Sequence, residues 1–210
     1  MKSLFNREKW EHLFYTVSHP VDGSYWIRHQ EKGSVAIAWL MVVLFSISFS
    51  INRAYAGMIV NNINPQSTDS LRELVSVLLL FGILCVSNWS ITCLMDGEGR
   101  MKDIVTVVGY SFFPIAVAFF LGTVLSQFVT QSEAGFYAIL LGLGIVYGVF
   151  MMIAGIMQVH NYTMGKTLIT LILTVIAVLI IIFLSLLLVD LITKVVKFIN
   201  TLITEITLRT

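Results

Sequence analysis

The chain has 210 residues, of which 57% are hydrophobic and only 12% are charged, and its formal net charge is +1. So little charge excludes a soluble domain with a polar shell, and the near balance of acidic and basic residues argues against nucleic acid as a partner. Five stretches without Asp, Glu, Lys or Arg are long enough for a helix of about 20 residues to cross a bilayer. They are residues 34–52, 74–95, 104–128, 134–159 and 167–189. The sequence therefore predicts an all-α integral membrane protein with five transmembrane helices.

The first 33 residues are predicted to form a cytoplasmic amphipathic segment before the first span. Apolar residues recur there at spacings of three and four, which places them on one face of a short helix: Trp10, Leu13, Phe14 and Val17. We expect His19-Pro20 to end this helix, because the residue before a proline disfavours helical geometry, and Asp22-Gly23 to form a turn. The helix is then expected to lie on the inner leaflet.

The distribution of lysine and arginine predicts the orientation of the spans. Eight basic residues lie before the first span or in the second and fourth connectors, and five lie on the opposite side of the predicted membrane. We expect the protein to lie in the cell membrane. Because cytoplasmic loops carry an excess of Lys and Arg, its N-terminus is expected in the cytoplasm. An odd number of spans then places the C-terminus outside.

The connector after the second span is a short hairpin, Asp96 to Asp103, with the densest charge of the chain. The residues leave two interpretations open: a solvated turn whose cations fix the topology, or a docking surface for a partner. Under the second interpretation the candidate contacts are Asp96, Glu98, Arg100 and Lys102.

Five residues within the spans are expected to determine how the helices of the domain 34–190 pack: Asn88, Tyr110, Pro114, Gly144 and Gly148. Asn88 lies deep in the second span, where an interhelical hydrogen bond is its expected role. Pro114 removes a backbone donor near Tyr110 and should kink the third span. Gly144 and Gly148 have the spacing that lets helices approach closely, either within the chain or in a dimer.

The last segment, residues 191–210, is predicted to be an amphipathic tail helix. Its apolar face is formed by Leu191, Ile192, Val195, Val196, Ile199, Leu202, Ile203 and Ile206. The candidates for a partner contact on this face are Val195, Ile199, Leu202 and Ile206. The outer leaflet, the bundle itself and another protein all remain open as the surface that this face contacts.

Catalytic and metal-binding patterns are missing from the sequence. His160 is near a span end but has no companion ligand at metal-binding spacing. No grouping of Ser, Cys and His supports nucleophilic catalysis, and no pair of acids lies within the spans. We therefore expect a protein that is not an enzyme and has no cofactor.

Three motifs resemble the Yip1 domain family, and bacterial members in particular: the DGEGRMKD hairpin, the GYSFFP run from Gly109 to Pro114, and HNYTMGK before the last span. The resemblance covers most of the chain and includes the five-span layout with a cytoplasmic N-terminus. Eukaryotic relatives, as the resemblance implies, engage Rab-type GTPases and carry a longer N-terminal region. Only about 33 residues precede the first span here, so a GTPase partner is not expected. Some bacterial relatives resemble accessory proteins of ABC transporters, which implies transporter subunits as partners.

The leading hypothesis is thus a non-enzymatic accessory or scaffold protein in the lipid bilayer that stabilises or regulates a partner complex, with an ABC transporter permease as that partner. The alternative is a small carrier or channel for a neutral solute, whose pore is lined by Asn88, Ser90, Thr92, Tyr110 and Ser111. A third hypothesis is a membrane-shaping protein that inserts its amphipathic segments into one leaflet.

Overall fold

The computed structural model describes residues 6–61 and 68–209, with the side chains of Ile206 and Arg209 left out. Within those ranges the chain has seven α-helices, a short 3-10 helix at Gln131–Glu133, and no strand. The α-helices are α1 (Arg7–Ser18), α2 (Pro20–Gln30), α3 (Val35–Tyr55), α4 (Ser70–Leu94), α5 (Met101–Ser126), α6 (Ala134–His160) and α7 (Met164–Arg209). By length and composition, five of the helical segments could cross a membrane, and they correspond to the five predicted spans. The predicted fold class is confirmed.

The N-terminal segment contains two helices where the sequence predicted one helix and a turn. The predicted end of the first helix is confirmed, because α1 stops at Ser18. The predicted turn at Asp22-Gly23 is wrong, since both residues lie inside α2. Pro20 occupies the start of α2, where its missing N–H costs nothing. A Cβ at Gly23 would lie 2.5 Å from the Cα of Thr16, so the glycine lets α2 pack closely on α1.

The centre of the bundle is α5, which packs along both α3 and α6 and also touches α4, α1 and α2. Small residues permit this approach, since a Cβ at Gly109 on α5 would lie 2.6 Å from the Cβ of Ala38 on α3. The apolar core between these helices includes Ile37, Val108 and Ile156, each at most 2% exposed. α7 lies at the edge of the bundle and packs on α4 and α6.

The last helix, α7, combines the fifth span and the predicted tail. It has 46 residues, which at 1.5 Å per residue gives a rod of about 69 Å. The tail is helical, as expected, and it continues the span without a break. No Gly or Pro occurs between Lys166 and Arg209 to interrupt the helix. An ion pair of 2.8 Å between Lys194 Nζ and Asp190 Oδ2 adds local support one turn beyond the span.

Candidate interaction site

The charged hairpin between α4 and α5 is fixed against the connector between α6 and α7. Asp96 adopts a left-handed conformation with φ of 54°. The backbone N–H of Gly99 donates to Nδ1 of His160 at 3.1 Å, and the hydroxyl of Tyr162 donates to the Met95 carbonyl at 3.0 Å. The DGEG and HNYT motifs, about 60 residues apart in sequence, therefore form one packed unit.

The two glycines of the hairpin make room for these rings. A Cβ at Gly97 would lie 2.6 Å from both His160 Nδ1 and Tyr162 Oη, and a Cβ at Gly99 would lie 2.6 Å from His160 Cε1. The rings of His160 and Tyr162 stack with centroids 5.3 Å apart. Any side chain at either glycine would displace part of this stack. The close approach of these glycines to a distant connector has no signal in the local sequence.

Both cations of the hairpin are paired within the chain. Arg100 donates from Nη1 to Glu31 at 2.7 Å and from Nε to Asp103 at 2.9 Å, and Lys102 donates to the same Glu31 oxygen at 2.9 Å. Hydrogen bonds from Lys102 and Arg100 hold the pKa of Glu31 below its ordinary value. The hydrogen bonds to Asp103 and Glu31 raise the pKa of Arg100. Glu31 and Asp103, which we did not single out from the sequence, thus tie the hairpin to the end of α2.

The carboxylates of Asp96 and Glu98 are the side-chain charges of the hairpin that have no partner within the described part of the chain. Both residues are exposed. Within residues 6–61 and 68–209 neither carboxylate forms an ion pair or a hydrogen bond. The four predicted contact residues of the hairpin therefore separate into two internally paired cations and two free acids.

The predicted packing residues lie inside the bundle. Asn88 Nδ2 donates to Thr174 Oγ1 at 3.1 Å and so joins α4 to α7. The Tyr110 hydroxyl accepts a hydrogen bond of 3.1 Å from the backbone N–H of Ser34, which joins α5 to the start of α3. α5 continues as a helix through Pro114. A Cβ at Gly148 would lie 2.8 Å from the Ser111 carbonyl oxygen on α5.

Gly144 lies against the same helix, where a Cβ would overlap the Cβ of Ala118. The structure thus places the two spaced glycines of α6 at a contact within one chain.

The positions of the residues predicted to line a pore do not favour the pore hypothesis. Ser90 is exposed on the outside of α4, whereas Tyr110 is fully buried, so the five proposed pore residues do not share one surface.

The predicted contact residues of the tail are exposed. Among the residues of α7 whose side chains the structure describes, those buried lie in the first part of the helix, at Thr167, Thr170, Thr174 and Val178. Every residue from 183 to 205 is exposed, including Val195, Ile199 and Leu202. Ile206 belongs to the same helix, but its side chain lies outside the described part of the chain.

A polar cluster at the opposite end of the bundle was missed from the sequence. Glu73 at the start of α4 accepts a hydrogen bond of 2.5 Å from Ser50 and lies 3.1 Å from Arg53 Nε. A cavity of about 400 Å³ beside it is lined partly by hydroxyl groups, from Ser46, Ser50, Tyr55, Thr68 and Ser70. The spacing of Ser46, Ser50 and Arg53 on one face of α3 was the signal that could have indicated it.

Comparison with known proteins agrees with the motifs. The model of the Yip1 domain matches residues 14–186, which is most of the chain and includes all five spans up to the outer part of α7. No curated protein and no solved structure matches the chain. The matched region contains the hairpin, the Tyr110 contact and the His160 connector, and it ends before the exposed tail. This chain belongs to the Yip1 domain family of membrane proteins.

Proposed function

We propose that this protein is a non-enzymatic accessory or scaffold protein that binds a partner membrane complex and stabilises or regulates it. The observation that carries the proposal is a contrast within the chain. Cations and amides at the hairpin end are bound to other groups of the same molecule, whereas Asp96 and Glu98 are exposed and unpaired. A surface of this kind is suited to association rather than to chemistry.

The hairpin is suited to binding because it is already ordered. Its backbone is held by His160 and Tyr162, and its cations are held by Glu31. A preordered contact loses little conformational entropy on binding, which favours affinity. Its two free carboxylates complement a basic surface. A basic surface on the permease of an ABC transporter is the leading candidate, in line with the bacterial relatives that the motifs resemble.

Removing the two free charges should weaken recovery of the partner. We expect the double variant Asp96→Asn/Glu98→Gln to recover about two- to thirtyfold less partner than wild type from gently solubilised native membranes, because each exposed ion pair contributes about 0.2–1 kcal/mol. The matched control is Glu8→Gln/Asp22→Asn, which removes two other exposed carboxylates from the N-terminal helices. Equal recovery from the two double variants would contradict the assignment of the contact to the hairpin.

We also propose that the hairpin end faces the cytoplasm and that the tail lies outside the cell membrane. The excess of Lys and Arg near the hairpin end supports this orientation. In a background without Cys85 and Cys93, a cysteine at Glu98 should react with a membrane-impermeant maleimide only after the cells are opened. A cysteine at Thr201 should react in intact cells, and the reverse pattern would overturn the orientation.

A second candidate function is the carriage of a small neutral solute. It is favoured by the hydroxyl-lined cavity of about 400 Å³ between α3 and α4, in which the buried Ser46 hydroxyl has no hydrogen-bond partner within the described chain. Hydroxyl groups without a free charge suit a neutral polyol. Liposomes containing only this chain should then take up such a solute, and the Ser46→Val variant should take up less.

A further inference from the structure

Beyond the bundle, an apolar stripe runs along α7 beside the face by which the helix packs on the bundle. Thr174 and Val178 are buried on this face, and Thr174 contacts Asn88 of α4. Alternating steps of three and four residues, the spacing of a coiled-coil seam, lead from Val178 along the rest of the helix. These steps select Ile181, Ser185, Leu188, Ile192, Val195, Ile199, Leu202 and Ile206. From Leu188 onward every position of the seam is apolar.

The residue types on this seam match one kind of assembly. In heptad terms the first seam position is isoleucine three times, at Ile192, Ile199 and Ile206. The second seam position is Leu188, Val195 and Leu202. β-branched residues at the first position with leucine at the second favour two parallel helices over three or four.

The geometry of α7 imposes the same orientation. Because span and tail are one helix, the tails of two copies in one membrane leave the bilayer in the same direction and can pair only in parallel. The side of the helix away from the seam is polar, with Thr193, Lys194, Lys197, Asn200, Thr201 and Thr204. The orientation that the membrane requires is therefore the one that the side chains prefer.

The outer leaflet is a less suitable contact for this apolar face than a second helix. To lie flat on the leaflet, α7 would have to bend sharply near Asp190, and sharp kinks almost always need Pro, Gly or an interruption of the helical hydrogen bonds. No Gly or Pro occurs after Gly165, and the Asp190–Lys194 ion pair reinforces the helix at this point. Five apolar side chains that flank the seam would add contact area beside a straight partner helix: Val189, Leu191, Val196, Phe198 and Ile203.

We propose that residues 188–206 form a parallel two-stranded coiled coil with the same segment of a second copy of this chain. Residues 188–206 lie beyond residue 186, where the match to the Yip1 domain ends, so the paired segment lies outside the family domain. The inference goes beyond the proposed accessory role and does not need it, because the hairpin lies at the other end of α7. The hairpin of each copy would remain free for a different partner.

Cysteine cross-linking in native membranes tests the pairing. In a Cys85→Ser/Cys93→Ser background, single cysteines would replace Val195, Ile199 or Leu202 on the seam, and Lys197 or Thr204 on the polar side as controls. Mild copper-phenanthroline oxidation should give at least about fivefold more covalent dimer at the seam positions, because a disulfide requires Cα atoms within about 7 Å. Equal yields at seam and control positions would overturn the proposal, and so would seam products that contain a different protein.

A second measurement does not depend on an engineered disulfide. In mild detergent the full-length protein should have the mass of two chains by light scattering, and Ile199→Asp should reduce it to one chain. The control Thr201→Asp, on the polar side of the same turn, should remain a dimer. A monomeric wild type, or equal loss with both variants, would refute the coiled coil. Recovery of a partner through the hairpin would still be measured separately, so the two proposals can fail independently.

Discussion

Replacing Gly144 by leucine should destabilise the protein far more than replacing Gly142 by leucine. A Cβ at Gly144 would overlap the Cβ of Ala118, which is fixed to the α5 backbone and cannot rotate away. Added atoms in a tightly packed contact cost about 1–3 kcal/mol or more, and for a chain of this size each kcal/mol lowers the Tm by about 2–4 °C. We expect a Tm lower by several degrees in detergent, measured by intrinsic fluorescence.

Gly142 is the matched control because it lies on the same helix, two residues away. A Cβ there would meet nothing within 4 Å. The Gly142→Leu variant should therefore keep the wild-type Tm or exceed it, since leucine favours helix more than glycine does. Equal loss of stability in both variants would contradict the contact between α5 and α6, and loss in neither would mean that Gly144 faces open space.

The second large effect is expected at His160. The variant His160→Ala should lose about 2–4 kcal/mol of unfolding free energy, because it leaves a cavity where a ring only 1% exposed had packed and removes the acceptor of the Gly99 N–H. Hydrogen exchange at the Gly99 amide should also become faster. The exposed His29 provides the control, and His29→Ala should change neither the stability nor the exchange rate.

A third variant separates the effect of the cavity from the effect of the lost hydrogen-bond acceptor. His160→Asn keeps a side-chain acceptor near the position of Nδ1 while still removing part of the ring, so it should restore protection of the Gly99 amide more than it restores the Tm. Unchanged amide exchange in His160→Ala would contradict the assigned hydrogen bond and would mean that other contacts hold the hairpin.

The five spans were predictable because each is a long stretch without charge, and long apolar stretches have few alternatives to a membrane helix. The turn at Asp22-Gly23 was predicted wrongly because Pro20 looks the same in sequence whether it ends one helix or starts the next. The tail was recognised as helical and apolar on one face. Its direct continuation from the last span follows from the absence of Gly and Pro after Gly165, a signal that we did not use.

The candidate site was predictable only in part. The charged hairpin was evident from its composition, but the pairing of Arg100 with Glu31 joins residues 69 positions apart and has no local signal. The same holds for the packing of Gly97 and Gly99 on His160. Side chains that meet through tertiary packing cannot be inferred from spacing along one helix.

The motifs that carry the family resemblance serve mainly to hold the bundle together. The Gly97 and Gly99 positions accommodate His160, and Tyr110 binds the start of α3. Asp96 and Glu98 are the exposed acids of the hairpin. In this chain, the motifs that carry the resemblance thus lie in packing contacts within the domain that the family model matches.

The accessory role is tested most directly by isolating the tagged full-length protein from its native membrane in mild detergent and weighing the intact complex by native mass spectrometry. The proposal predicts a complex in which transporter permease subunits and this chain occur in a fixed ratio. The Asp96→Asn/Glu98→Gln variant should retain its own copies but recover about two- to thirtyfold less permease. Recovery of this chain alone, as a monomer or a dimer, would contradict the accessory role.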